Sequence, residues 1–215
     1  MPRSRIKPST ALSDFLSAVG RFERFDAENQ SRFSTMSSAS PSMGISKTQL
    51  HFLTEAIFFS TYREFENFIR DIFLLYSQEK SHSSSKKVVS YLSPKSFLHA
   101  ELLIQSSMPF LDWSSADNVI ARSELYLKDG FPIKLPYTSN LESLRDFRKI
   151  RNHIAHNSSK SMDDYKKVIK KHYGIIPLRI PPPGEFLLTS KRRSSGKYML
   201  LIFFDTLKKI ASDFV

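Results

Sequence analysis

"SKTQLHFLTEAIFFSTYREFENFIRDIFLLYSQE", residues 46–79, decides the fold class. Leu53, Ile57, Phe65, Phe68, Ile69, Ile72, Phe73 and Tyr76 recur at three- and four-residue intervals, which is the period of a helix and not of a strand. They cover a broad face, so this helix is expected at the centre of a core. Ser46, followed three residues later by Gln49, is a capping box that starts it. The polar run "SHSSSKK" (81–87) ends it.

Working outward, the same period appears on both sides. Toward the N-terminus, Leu12, Phe15, Leu16, Val19 and Phe22 predict a helix over 11–25. The stretch "NQSRFSTMSSASPSMGIS" (29–46) is rich in Ser and carries Pro41 and Gly44, so it reads as a flexible connector. Residues 1–45 are thus an expected helical arm and connector, and residues 46–215 an expected helical domain. Toward the C-terminus, "LSPKSFLHAELLIQSSM" (92–108) predicts a helix capped by Ser93 with Pro94 in its first turn. "SSADNVIARSELYLK" (114–128) predicts another, stopped by Gly130. "GFPIKLPYTS" (130–139) reads as extended, because each proline disfavours helix in the residue before it. Ser139 and Glu142 form a second capping box for a helix running to His156. The prolines of "IIPLRIPPPGEFLL" (175–188) predict a loop with room for one short strand. "YMLLIFFDTLKKIASDF" (198–214) is a last helix with an apolar face. The expected fold is all-α, a multi-helix bundle with an N-terminal helical arm.

Composition narrows the function. Among 215 residues, 32 Lys and Arg stand against 21 Asp and Glu, a net charge of +11. A charge of that size attracts polyanions, nucleic acid above all. With 6 Gly, a glycine-rich phosphate loop is disfavoured. The absence of Cys excludes a disulfide framework, a thiol nucleophile and thiolate metal sites, and it fits a reducing cytoplasm. No apolar run is long enough to span a membrane, and the N-terminal stretch lacks the apolar run of a signal peptide.

The chemistry concentrates in "KIRNHIAHNS" (149–158). At about 100° per residue, Leu144, Phe147, Ile150 and Ile154 share one face, with Arg151 projected inside it. Asn152 and His156 fall beside one edge of that face and His153 just off the other. An arginine on an apolar face either snorkels to water or is kept for an anion. Guanidinium is a permanent fork-shaped donor for phosphate, and histidine moves protons near neutral pH. Together they suit cleavage of a phosphodiester.

Arg151–Asn152–His153–Ile154–Ala155–His156 also resembles the motif of the HEPN superfamily (higher eukaryotes and prokaryotes nucleotide-binding domains): arginine, a polar residue, any three residues, histidine. "TYREFENFIRDIF" (61–73) resembles the first long helix of HEPN ribonucleases, where an acidic residue like Glu66 recurs. The resemblance implies a metal-independent endoribonuclease acting as a homodimer, often a toxin or phage-defence effector silenced by a cognate antitoxin or inhibitory partner. It implies His156 as the proton-transfer group, Arg151 as the phosphate clamp and Asn152 as the orienting residue. Arg148 and His153 form a second register, weaker because Lys149 occupies the polar position; His153 is then a helper or an RNA contact. Glu66 and Arg70 are also spaced for an ordinary surface ion pair.

Lys166, Lys167, Lys170 and Lys171, with Lys191, Arg192 and Arg193, are candidate RNA-backbone contacts, and Tyr165, Tyr173 and Tyr198 candidate stacking residues. His51, His82, His99 and His172 show no ligand spacing, and His153 with His156 lacks a third ligand, so neither metal nor cofactor is expected. Two rivals remain: a helical module that binds nucleic acid or nucleotide without cutting it, and a purely structural interaction domain.

Overall fold

A computed structural model describes residues 7–36, 44–83, 86–106, 111–190 and 196–215. The chain is all-α, and among these residues there is no strand, only isolated bridges joining Ser90 to Leu127 and Ser190 to Tyr198. The helices are α1 (Pro8–Met36), α2 (Lys47–Ser77), α3 (Phe97–Gln105), α4 (Ala116–Tyr126), α5 (Lys134–Ser139), α6 (Leu141–His156), α7 (Ser159–Tyr173), α8 (Pro183–Leu187) and α9 (Met199–Ser212). No helix among them is long and apolar enough to cross a membrane.

The capping box of α2 forms as expected. The Ser46 N–H donates to Gln49 Oε1 at 2.8 Å, and the Gln49 N–H donates to Ser46 Oγ at 3.2 Å. Other expectations are corrected. α1 continues through Asn29–Met36, where a connector was expected; residues 37–43 of that stretch lie outside the described residues. α3 is capped by Ser96, which accepts from the His99 N–H at 3.1 Å, and not by Ser93. Ser139 ends α5 and so is not a residue standing outside a helix to cap α6. The prolines mislead twice, for one reason. The first N–H groups of a helix have no intrahelical partner, so proline is tolerated there. Pro136 sits in the first turn of α5, and Pro183 opens α8.

The chain divides into two compact units. The first comprises Met1–Ser17, Glu64–Arg145 and Leu207–Val215. Its core is aromatic: Phe15 stacks on Phe68 at 4.9 Å, Phe68 on Phe214 at 6.2 Å, and Tyr137 on Phe214 at 5.7 Å. The Tyr76 hydroxyl donates to the Phe214 carbonyl at 2.5 Å. Trp113 lies 5.3 Å from Phe73, with the Arg122 guanidinium over its ring at 4.7 Å.

The second unit comprises Ala18–Arg63 and Asp146–Thr206. Phe203 is its hub, 4.3 Å from Phe58 and 5.0 Å from Phe147 in an edge contact. Asp26 on α1 is buried and accepts from the Tyr198 hydroxyl; desolvation raises the pKa of both groups. The candidate motif lies in this unit.

Candidate functional site at the end of helix α6

The motif sits where α6 hands over to α7. The Asn157 N–H closes the last turn on the His153 carbonyl at 3.0 Å. Asn157 then reverses the chain at φ 41°, in the left-handed region that Asn tolerates better than most residues. Ser158 starts α7 at once, in a capping box with Ser161: Ser158 Oγ accepts from the Ser161 N–H at 3.2 Å, and Ser161 Oγ accepts from the Ser158 N–H at 2.9 Å. Asp146 fastens the two helices from the other end, accepting from Lys149 at 2.9 Å and from Lys171 at 2.6 Å.

The buried stripe of α6 runs Leu144, Phe147, Ile150, His153. This differs from the projected face, because His153 is 5 % exposed while Arg151 is half-buried and Ile154 stands outside the core. The physical reason is α7. Its Tyr165 is fully buried and stacks on the His153 ring at 4.9 Å, covering a side of α6 that the projection assigned to an edge. Arg151 reaches Asn152 Oδ1 with Nη1 at 3.3 Å and lies over the Phe59 ring at 5.3 Å. His156 is exposed on the last turn. The structure therefore brings Arg151 and Asn152 together and gives the two histidines opposite environments. Arg148 is half-buried on α6. Glu66 belongs to the first unit, where it is half-buried. Arg70, its expected ion-pair partner, bonds Asp71 at 3.1 Å and approaches Glu101 at 3.9 Å.

Ser161 Oγ lies 2.9 Å from the Ser158 carbonyl and 3.3 Å from His153 Nδ1, so the imidazole is tied to the capping box that starts α7. Burial pushes the imidazole below its ordinary pKa, which keeps the ring neutral.

His153, Ile154 and Asn157 line one side of a cleft of about 480 Å³. Met162, Glu55, Arg179 and the run from Ile180 to Pro183 complete it. The Tyr165 hydroxyl holds the proline wall by donating to the Pro181 carbonyl at 3.0 Å. Glu55 Oε1 accepts from the Gly184 N–H at 2.8 Å, tying α8 to α2. That approach is close: a Cβ at Gly184 would run into the backbone of His51. Arg179 makes a two-pronged pair with Glu185 at 3.0 and 2.9 Å, which holds the Glu185 carboxyl below its ordinary pKa.

The lysines of α7 are largely committed. Lys166 pairs with Asp163 at 3.3 Å, Lys167 with Asp164 at 2.6 Å, and Lys171 with Asp146. Lys170 is exposed. Lys191, Arg192 and Arg193 lie outside the described residues. Of the tyrosines expected to stack bases, Tyr165 is instead core and Tyr198 is held by Asp26; Tyr173 remains exposed at 43 %. Among the described residues no group of three or more His, Asp or Glu is placed to hold a metal ion.

The cleft residues Glu55, Met162, Arg179 and Pro181 were not singled out from the sequence. "PPPGE" did carry a signal, a proline at a helix start with an acid in the first turn. Glu55 carried none, since its role depends on α8 folding back against α2. No protein-family model, curated protein or solved structure matches this chain.

Proposed function

We propose that the protein is a metal-independent endoribonuclease of HEPN type. The observation that carries the reading is the exposed end of α6, where Asn152 holds the Arg151 guanidinium one turn before an exposed His156. Arg151 clamps the phosphate and stabilises the charge that develops on it. The RNA 2′-oxygen bonds to phosphorus as the bond to O5′ breaks. The proton lost by the 2′-hydroxyl is matched by one delivered to O5′, leaving a 2′,3′-cyclic phosphate and a 5′-hydroxyl. His156 moves the proton.

Residues five apart on a helix project about 140° from one another. Arg151 and His156 of one chain thus favour different sides of α6, which supports a homodimer in which each copy completes the other's site. The net charge of +11 supports RNA as the substrate. An effector of toxin or phage-defence type, acting in the cytoplasm and silenced by a cognate antitoxin, fits an activity of this kind.

Incubation with total RNA in EDTA tests the reading. Arg151→Ala and His156→Ala are each expected to lower cleavage by at least about 10²-fold without shifting the melting temperature. Full cleavage by His156→Ala would sink it. The second reading, a module that binds nucleotide without cutting, is favoured by one observation: the histidine lining the cleft is His153, not His156. It predicts binding with no cut ends in the same assay.

A further inference from the structure

The cleft beside the α6 end offers an unusual balance of polar groups. Glu55 spends one carboxylate oxygen on the Gly184 N–H, and its other oxygen has no hydrogen-bond partner among the described residues. His153 adds a buried imidazole, its Nδ1 3.3 Å from Ser161 Oγ, to the same lining. The remaining walls are Ile154, Asn157, Met162, Arg179 and the run 180–183, with the Arg179 guanidinium held by its two-pronged pair to Glu185. A ligand for this site is largely apolar and carries adjacent donors toward Glu55. Its volume of about 480 Å³ falls in the small-molecule range of ~300–1,000 Å³.

Among the nucleobases, one meets the edge requirement. Guanine presents N1–H and N2–H side by side, matched to the two oxygens of a carboxylate. Adenine and cytosine set a lone pair beside their amino group, and uracil flanks its single N–H with two carbonyls; each turns an acceptor toward Glu55. An arginine side chain also carries paired donors. It lacks a ring to fill the slot between the prolines and Met162, and the chain's charge of +11 repels it.

We propose that this cleft is a guanine-binding slot, with Glu55 accepting the N1–H and N2–H of the base and the His153 ring lining the wall beside it. Placing that guanine in an RNA strand rests on the ribonuclease reading above and makes the slot a selector of the nucleotide next to the cut. The slot itself does not rest on it, because a mononucleotide has no internucleotide bond to cleave.

Calorimetric titration of the full chain tests this with GMP, IMP, AMP, CMP and UMP. IMP differs from GMP only in lacking the 2-amino group, and a site built to pair a donor rejects the analogue without it. GMP is expected to bind at least about tenfold tighter than IMP, and tighter still than UMP. Glu55→Gln should bring GMP down to the affinity of IMP. Met162→Trp, which fills the cleft from α7, should abolish binding of both and serves if Glu55→Gln fails to fold. Equal affinity for GMP and IMP, no binding of GMP, or displacement of GMP by arginine amide at equal concentration would each overturn the proposal. A 2′-O-methylated pentanucleotide with one guanine separates the sources. Tighter binding than GMP puts the guanine in a strand, and weaker binding assigns the slot to a free nucleotide. If GMP binds selectively while total RNA stays intact, the ribonuclease reading fails and the slot stands.

Discussion

The two units bury their polar groups differently. In the first, the fully buried serines return to the backbone of their own helix: Ser77 donates to the Phe73 carbonyl at 2.9 Å and Ser123 to that of Ile120 at 2.7 Å. Such groups cost little and do no chemistry. The second unit buries Asp26, Asn29 and His153, groups that carry charge or several donors and acceptors. Burial of this kind costs several kcal/mol or thereabouts when unpaired, so it marks where a core has been bent to a purpose. The candidate motif and the cleft both lie in that second unit.

Three experiments press on this difference. The largest expected effects are on packing. Phe68→Ala in the first unit and Phe203→Ala in the second should each lower stability by about 3–5 kcal/mol, read by urea denaturation. The difference shows only in a second readout. At temperatures where both variants remain folded, Phe68→Ala should keep guanine binding; its loss there would break the contrast. Next is Gly184→Ala, expected to cost roughly 1–3 kcal/mol because α8 must back away from His51. It should also reduce GMP affinity more than its stability loss explains, since Gly184 anchors Glu55. An unchanged GMP affinity would detach the cleft from the α8 contact.

The smallest effect concerns pH. Burial lowers the pKa of His153 in the folded chain, so between that value and the unfolded value of about 6.5 the unfolded chain binds more protons. The stability from a neutral His153 is complete above the unfolded value and is lost as pH falls through the window. His153→Phe keeps the stack on Tyr165 and removes the titration. Its melting temperature should fall less than that of the parent chain between about pH 7.5 and 5.5. His51 and His82 are also lowered by burial, so part of the slope persists.

The sequence makes legible what a single helix determines. The apolar period and capping box of α2 are local properties, and they hold in the structure. α5 and α8 were missed because proline was read as a break, although at a helix start its missing N–H costs nothing. The continuation of α1 through Asn29–Met36 was hidden by serines, which are poor helix formers that an otherwise continuous helix carries through. At the site, the residue types and the end of α6 were legible, and which histidine is buried was not. A projection of α6 alone holds no trace of Tyr165, which arrives from α7 and decides the matter.

The chain has a single tryptophan, Trp113, and it stands in the first unit against Phe73 and under Arg122. Indole emission therefore reports on one unit alone, with no label added. Far-ultraviolet circular dichroism follows the helices of both units together. Recording both through one denaturation shows whether the two halves melt together. It also lets a ligand of the second unit be seen to shift the helical transition while the tryptophan serves as the silent control.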